Sequence, residues 1–400
     1  MKMLILTYDY KNNWVPNYPD TIKAFNPQTW IINYKELYYD LGHKRFHDYI
    51  RKLVSREQID VLLYFVAIDF EIHVTFLTEL REKVFVVLYC GDDCTCYDMH
   101  YKYLCQGADF IFTNIIFAEY KYIELGTPAQ FLVPAFDVSF FEPMNIERDI
   151  DVSFIGLMNN RVSRVKYIEF LEKNGIEVET WGQGTTNGVA TPEKKLEIYC
   201  RSKINLDFTG LGEYTIYTLD YPVFNRKRHP KGRSLEIALS RSFLLSENAP
   251  GIEAYLTPGQ EIDVFDNEAE LVERVRYYLA HPEERERMAQ NAYVRAQETN
   301  NLHNQCQDVL RIIEARMREK KGGSYSLFLG KDYIQNYATY RFYSFIRFIK
   351  VGKFRNALQE VLLWMRKPIF NVVQGLFFLS VNFPLINRLR KRVQRIVVRT

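Results

Sequence analysis

In this 400-residue chain, the stretch best suited to chemistry is Lys231-Gly232-Arg233-Ser234-Leu235-Glu236, which reads as a loop entering a helix that ends before the apolar run Phe243-Leu244-Leu245. Arg233 and Glu236 stand three residues apart and so share one face near the N-terminus of that helix. There, backbone N–H groups and a guanidinium can hold a phosphate, while a carboxylate accepts two ribose hydroxyls. The set fits a nucleoside diphosphate. Read alone, an R-x-x-E pair also fits a solvated ion pair on a surface helix, so the residues that follow it carry the distinction.

A second set suits proton transfer. Asp92 and Asp93 follow the apolar run Val84–Tyr89, at what reads as the carboxyl end of a strand, where a general base for a hydroxyl group belongs. Adjacent residues on extended backbone point to opposite sides, so at most one of the two would face an acceptor; capping the next helix is the competing role. Asp98 and His100 are weaker candidates for that base, and Asp9, Tyr10 and Asp69, at the other strand ends, are placed to contact an acceptor. A metal site built from Asp92, Asp93, Cys94 and Cys96 would mix hard and soft ligands without matching partners, so no metal is assigned. The six cysteines, Cys90, Cys94, Cys96, Cys105, Cys200 and Cys306, form no C-x-x-C pair and read as reduced thiols. No G-x-G-x-x-G follows the first strand, and no G-x-x-x-x-G-K occurs, which counts against dehydrogenase and P-loop chemistry.

The elements that must position these residues alternate in the rhythm of stacked βαβ units with a parallel sheet. Met3–Tyr8, Val61–Phe65, Val84–Tyr89 and Phe110–Phe112 read as strands of a first domain, with a helix over His43–Ser55. The pattern breaks between Pro134 and Asp149. A second series follows, with strands at Asp151–Gly156, Glu177–Trp181, Ile204–Phe208, Phe243–Ser246 and Glu261–Phe265. Asn267 with Glu270 predicts a capped helix to Ala280, and Pro282-Glu283-Glu284 predicts another that runs on to about Met317. Lys320 to Ser324 supplies a break. In open sheets of this kind ligands sit outside the carboxyl ends of the strands.

Pro250-Gly251-Ile252-Glu253, Pro258-Gly259-Gln260-Glu261, Phe265-Asp266 and Val275 to Arg285 follow the R-x-x-E pair in order and at close spacing. The whole run from Gly232 to Arg285 resembles the C-terminal domain of GT-B glycosyltransferases, in the spore-maturation-protein-like branch of the group 1-like families. Leu235-Glu236-Ile237-Ala238-Leu239-Ser240 stands where that branch usually reads F-E-A-x-A-x-G. Asp151 to Gly156 with Arg161, and Ser202 to Thr209, resemble the earlier strands of the same domain, and Gly91-Asp92-Asp93 resembles an acidic pair in its N-terminal domain. The resemblance covers about residues 1–315.

It implies an α/β GT-B fold: two Rossmann-like doubly wound domains facing a cleft, residues 1–145 for the acceptor and 146–320 for the nucleotide sugar. Glu236 would bind the donor ribose, and Arg233 and Arg161 would neutralise the departing diphosphate, with Gly156 and Gly251 at the nucleotide and Asp92 or Asp93 as base. Side-chain cations and helix dipoles suffice for the leaving group, so the reading is metal-independent. Many relatives carry a second Glu eight residues before this one; here Arg228 stands there, and the anomeric outcome is left open. A non-catalytic scaffold on the same two-domain shell is the alternative.

Charge divides the chain sharply. Residues 331–400 hold 14 Lys and Arg against Asp332 and Glu360, a net of +12, which leaves −9 on residues 1–330 of a chain whose total is +3. Residues 321–400 therefore read as a basic, aromatic-rich helical tail. Phe342, Phe345, Ile346 and Ile349 share one helical face, with Arg341 and Arg347 elsewhere; Leu385, Ile386, Leu389, Val393, Ile396 and Val397 form a second stripe. This is the pattern of interfacial helices at an anionic leaflet. The N-terminus lacks a signal-peptide core, so the expectation is a cytoplasmic protein peripheral at the inner membrane face, through residues 325–400, working in cell-envelope polysaccharide or lipid-linked saccharide synthesis. An acidic body without a reader motif argues against nucleic acid.

Overall fold

The computed structural model describes residues 1–8, 17–67, 69–91, 93–159, 161–210, 228–320 and 327–365. They fall into two compact units. Unit 1 comprises Met1–Asn13, Ile22–Leu132 and Leu310–Thr400, and unit 2 comprises Trp14–Thr21 and Val133–Val309.

Unit 1 begins with β1 (Met3–Thr7), whose five residues are all buried, as expected for a strand covered on both faces. There follow α1 (Tyr18–Phe25), whose residues up to Thr21 are grouped with unit 2, then β2 (Thr29–Asn33), α2 (Tyr34–Leu41), α3 (His43–Glu57), β3 (Val61–Val66), α4 (Val74–Arg81) and β4 (Phe85–Cys90). Next come α5 (Asp93–Cys96), a π-helical turn (Tyr97–Tyr101), α6 (Lys102–Leu104), β5 (Phe110–Thr113), α7 (Ile116–Glu124) and β6 (Ala129–Phe131). The six strands form one sheet in the order β2-β1-β3-β4-β5-β6, and every pair is parallel. Strand order reverses between β1 and β3. Two edge strands, β2 and β6, went unread in the sequence because they are short and flank the apolar series rather than belonging to it.

Unit 2 contains β7 (Ile150–Ile155), α8 (Val162–Lys173), β8 (Glu179–Trp181), α9 (Pro192–Arg201), β9 (Ser202–Asp207), α10 (Gly232–Leu239), β10 (Leu244–Glu247), β11 (Asp263–Phe265), α11 (Glu268–Ala280) and α12 (Pro282–Thr299). Its five strands, ordered β11-β10-β9-β7-β8 and again all parallel, reverse between β7 and β9. The core of this sheet joins Val152 and Phe154 of β7 to Ile204, Leu206, Phe243 and Leu245, and to Leu271 and Val275 of α11. The cap expected at Asn267 is present: its Oδ1 accepts the amides of Ala269 and Glu270, while Glu270 Oε2 accepts that of Asp266 at 2.9 Å.

The helix expected from Pro282 to Met317 is two helices, α12 and α13 (Leu302–Arg318). At the break, Phe136 N–H donates to Asn300 O and Leu302 N–H donates to Phe136 O, both at 2.9 Å, and the Asn300 amide donates to Pro134 O. A remote segment thus takes over backbone groups that a continuous helix would have satisfied itself.

The expected tail over 321–400 is divided. Its described part forms α14 (Lys331–Lys350) and α15 (Phe354–Met365), an antiparallel hairpin grouped with unit 1. Its burial also reverses the expectation. Arg341, expected on the outer face, is buried with Tyr333, Tyr340, Ser344 and Phe348, whereas Phe342, Phe345 and Ile346 are half-buried and Ile349 is exposed. The cause is Glu360 of α15, which pairs with Arg341 Nη1 at 3.0 Å with both side chains fully buried. The Tyr38 hydroxyl and Phe70 O accept from the same guanidinium, which also lies over the Tyr337 and Tyr340 rings at 5.0 and 5.2 Å. The second stripe, from Leu385 to Val397, lies outside the described residues. No described helix is long and apolar enough to cross a membrane.

Candidate functional site

The rule for doubly wound sheets places a ligand at the carboxyl ends of the strands, where strand order reverses. In unit 2 that point lies beyond β7 and β9. Immediately after β7, Gly156 donates its N–H to Trp181 O at 2.7 Å, and Met158 donates to Gln183 O at 2.9 Å. The Gly182-Gln183-Gly184 loop is therefore pressed against residues 156–159. Gly182 (φ +132°) and Gly184 (φ +92°) both occupy positive φ, and a Cβ on Gly182 would lie 2.1 Å from Gly156 O. Gly182→Ala is expected to destabilise unit 2 by about 2–3 kcal/mol, read by urea denaturation; an unchanged midpoint would mean that the two loops separate at little cost.

Three arginines converge at this strand end. Arg233, in the first turn of α10, places Nη1 2.6 Å from Asp207 Oδ1 at the end of β9, and its guanidinium lies 5.0 Å from the Phe154 ring centroid. Ser234 Oγ donates to the other Asp207 oxygen at 2.9 Å, so Asp207 fixes the start of α10. Gly156 is tight here for a reason of its own: a Cβ would stand 2.9 Å from Arg233 Nη2. Arg164 of α8 is buried, donating to Leu157 O at 2.8 Å and Phe208 O at 3.4 Å, with no partner for Nε among the described residues. Burial, and then the charges of Arg233 and Arg161, bring Arg164 down to about 9. Arg161 itself is half-buried at the residue preceding α8. Like charges held together in a partly dry corner create a demand for an anion.

One turn along α10, Glu236 is buried and takes two contacts on Oε2, from Lys195 Nζ at 2.6 Å and from the Tyr199 hydroxyl at 3.0 Å. Burial lowers the Lys195 ammonium despite the attraction of Glu236. Oε1 has no hydrogen-bond partner among the described residues and is the oxygen left for a ligand hydroxyl. Lys231, which precedes α10, supplies no side-chain cap, so the amides of Gly232 and Arg233 have no acceptor among the described residues, while that of Ser234 donates to Lys231 O at 3.1 Å. Behind the helix, Glu247 at the end of β10 accepts from Thr209 N and Gly210 N, each at 2.9 Å. Its other oxygen pairs with Arg228 Nε at 3.0 Å. The cation at 228 is thus tied to a buried carboxylate of the same sheet.

The sequence candidates fare unequally. Gly156, Arg161, Arg233 and Glu236 come together around β7, β9 and α10. Gly251 occupies the left-handed region (φ +82°) at the start of a short 3-10 turn after β10, and no described contact ties it to the arginines. Asp92 lies outside the described residues. Asp93 is turned inward: it is buried, its Oδ2 accepts from Thr113 Oγ1 at 2.6 Å, and its Oδ1 accepts from the Tyr122 hydroxyl. Both oxygens therefore serve the end of β5 and α7, an arrangement that suits an anchor rather than a base exposed to an acceptor. Asp9 and Tyr10 are likewise outside the described residues.

Arg164, Lys195, Asp207 and Glu247 were missed. Arg164 sits one helical turn after Arg161, a spacing that could have flagged it; Lys195 and Asp207 announce themselves only once α9, β9 and α10 are side by side. In unit 1, the switch point between β1 and β3 carries a further surprise. After β3, Asp69 receives Lys35 Nζ at 3.0 Å and the Tyr34 hydroxyl at 2.6 Å. Glu71 receives the hydroxyls of Tyr39 and Tyr340. Burial and the Asp69 charge push Glu71 well up, so it keeps its proton. Asp69, though buried, is held below the usual range by that proton, Lys35 and Tyr34. The two acids share one negative charge. No disulfide links the six cysteines, all of which are buried, and among the described residues no group of three or more His, Cys, Asp or Glu could hold a metal ion.

Comparison with known proteins agrees with this fold. Residues 164–311 match the glycosyl transferase-like family model. Among solved structures, HepE of Anabaena in complex with UDP superposes with a TM-score of 0.58 at 10% identity, covering 79% of this chain and 100% of HepE. A glycosyltransferase of Rickettsia africae gives 0.57 at 9% identity, with 80% and 99% covered. Sucrose-phosphate synthase of Thermosynechococcus elongatus gives 0.54 at 10%, with 78% and 99% covered. No curated protein matches the sequence.

Proposed function

The chain has the GT-B fold with a glycosyl transferase-like segment in its second unit, and from that premise we propose that it transfers a sugar from a nucleotide-sugar donor to an acceptor hydroxyl. The observation that carries this reading is the cluster of Arg161, Arg164 and Arg233 at the carboxyl end of β7, beside a carboxylate with one oxygen that has no partner among the described residues. A diphosphate placed there would meet three guanidinium groups and the uncapped amides of α10, while ribose hydroxyls would reach Glu236 Oε1. As the glycosidic bond breaks, charge develops on the leaving phosphate, and fixed cations are worth most at that position. Arginines thereby fill the role for which a divalent ion would otherwise serve, and the reading is metal-independent on the strength of those residues. HepE has been crystallised with UDP, with UDP-glucose, and with UDP and glucose, so a uridine donor is the first to test.

The acceptor side is assigned to unit 1, at the carboxyl ends of β1 and β3. The basic tail suggests a saccharide or lipid-linked acceptor at the cytoplasmic membrane face, within cell-envelope glycan synthesis, and the spore-maturation-protein-like branch is the proposed subfamily.

Calorimetric titration of the full chain with UDP tests the donor site. Arg164→Met is expected to weaken UDP binding at least about tenfold, the scale of a lost charge-assisted hydrogen bond. Glu236→Ala should abolish the preference for UDP over its 2′,3′-dideoxy analogue. Equal binding of both ligands by the unmodified chain would remove Glu236 from the site, and no binding of any nucleoside diphosphate would favour a scaffold.

A further inference from the structure

Helix α15 is built inside out. Its buried residues are Asn356, Ala357 and Glu360, and the face turned to solvent carries Phe354, Leu358, Leu362 and Met365, between 49% and 67% exposed. Their spacing of four, four and three residues places them on one continuous stripe. An isolated exposed Leu is ordinary, but a stripe of four large apolar side chains marks a surface made to be covered.

The neighbouring surface has the opposite character. Helix α3 packs against α15, with Lys44 N–H donating to Gln359 Oε1 at 3.2 Å, and Lys44 and Leu362 line the same cavity of about 920 Å³. Lys44, Arg45, Lys52 and Arg56 of α3 are exposed, as is Tyr49, one turn from Arg45. The acids nearby are already matched: Arg51 pairs with Asp48 at 3.0 Å and Glu79 at 2.6 Å, and Arg56 pairs with Glu57 at 2.7 Å. Lys44, Arg45 and Lys52 have no carboxylate partner among the described residues. A cationic rim with an exposed tyrosine, flanking an apolar stripe, is complementary to a bilayer surface: phosphate headgroups for the rim, acyl chains for the stripe.

We infer that α3 and α15 of unit 1 together form the face by which this protein docks on an anionic lipid bilayer, with Phe354, Leu358, Leu362 and Met365 inserted and Lys44, Arg45 and Lys52 at the headgroups. This rests on the membrane-face reading above, and it moves the contact from the chain terminus to a folded surface shared with a helix near residue 50.

The test is co-sedimentation of the full chain with phosphatidylcholine vesicles, with and without phosphatidylglycerol. The unmodified chain should bind only the anionic vesicles. Lys44→Gln/Arg45→Gln/Lys52→Gln, which touches no buried group, should lower the partition coefficient roughly a hundredfold. Leu358→Ser/Leu362→Ser should abolish binding at an unchanged thermal midpoint. If both variants bind normally while Arg388→Gln/Arg390→Gln/Lys391→Gln/Arg392→Gln does not, the membrane reading survives and this surface is overturned. A fall in thermal midpoint without loss of binding in the leucine variant would mean that the stripe is covered by the chain itself, which also overturns it. Failure of the unmodified chain to bind anionic vesicles would defeat the membrane reading as a whole.

Discussion

Glu360→Ala is expected to destabilise unit 1 by about 3–5 kcal/mol, the cost of leaving a buried guanidinium without its counter-charge. Arg341 and Glu360 are both fully buried, and burial alone would push the Glu360 carboxyl up; the nearby guanidinium and the Tyr38 hydroxyl oppose that shift. With Glu360 gone, Arg341 would keep, among the described residues, the Tyr38 hydroxyl, His43 Nδ1 at 3.4 Å, the Phe70 carbonyl and the tyrosine rings around it, none of them an anion. The double variant Arg341→Met/Glu360→Leu should recover most of the loss, since two apolar side chains of similar size need no counter-charge. Urea denaturation of the two variants beside the unmodified chain decides the matter. A loss below about 1 kcal/mol for Glu360→Ala would mean that water reaches the pair and that α14 and α15 are held by apolar packing alone. The outcome bears on function, because this pair orients α15 with its apolar stripe outward.

Acid should melt unit 1 well above the range in which carboxylates protonate. His47 and His100 are buried and His43 is half-buried among the elements that meet α14, and desolvation lowers all three, His47 and His100 to about 4 and His43 further still. Like-charged neighbours add to burial at His43, which lies 4.4 Å from the His47 ring and near Arg341. A histidine whose value is depressed in the folded state stabilises fully above its unfolded value near 6.5. That contribution is lost as pH falls from there toward the folded value, because the unfolded chain takes up the proton first. The three histidines by themselves would remove about 4 kcal/mol between pH 6 and pH 5, at roughly 1.4 kcal/mol per group and pH unit. Glu71 and Glu360, which burial raises in the folded state, act the other way in that window, because the folded chain keeps protons that the unfolded chain has released, and they offset part of the histidine loss; Asp69, held below its usual range, does not titrate there. The measurement is the urea midpoint at pH 7, 6 and 5, with His100→Asn expected to reduce the loss by about 1.4 kcal/mol per pH unit relative to the unmodified chain. A midpoint constant across that range would show that these imidazoles are hydrated.

The parallel two-unit architecture was legible because each buried strand is a short, nearly uninterrupted apolar run, a local property that needs no knowledge of its neighbours. The R-x-x-E pair at the start of α10 and the Asn267 cap were legible for the same reason: helix geometry sets which residues share a turn, and both features lie within four residues. The edge strands β2 and β6 escaped notice because half-exposed three- to five-residue segments carry little pattern.

Other features depend on partners far away in the chain. Arg341 reads as a surface residue until Glu360, Tyr38 and Phe70 surround it, and its burial is what inverts both helices of the hairpin. Asp93 reads as a general base until Thr113 and Tyr122 occupy its oxygens. Asp207 and Lys195 gain their roles only when β9 and α9 lie against α10. By itself, then, the sequence determined the elements, their parallel arrangement and the local spacing of Arg233 and Glu236. The tertiary structure decided which charges are buried and which face of α15 meets solvent, because a buried charge is tolerated only beside a partner, and those partners are brought from distant parts of the chain by the packing of the whole unit.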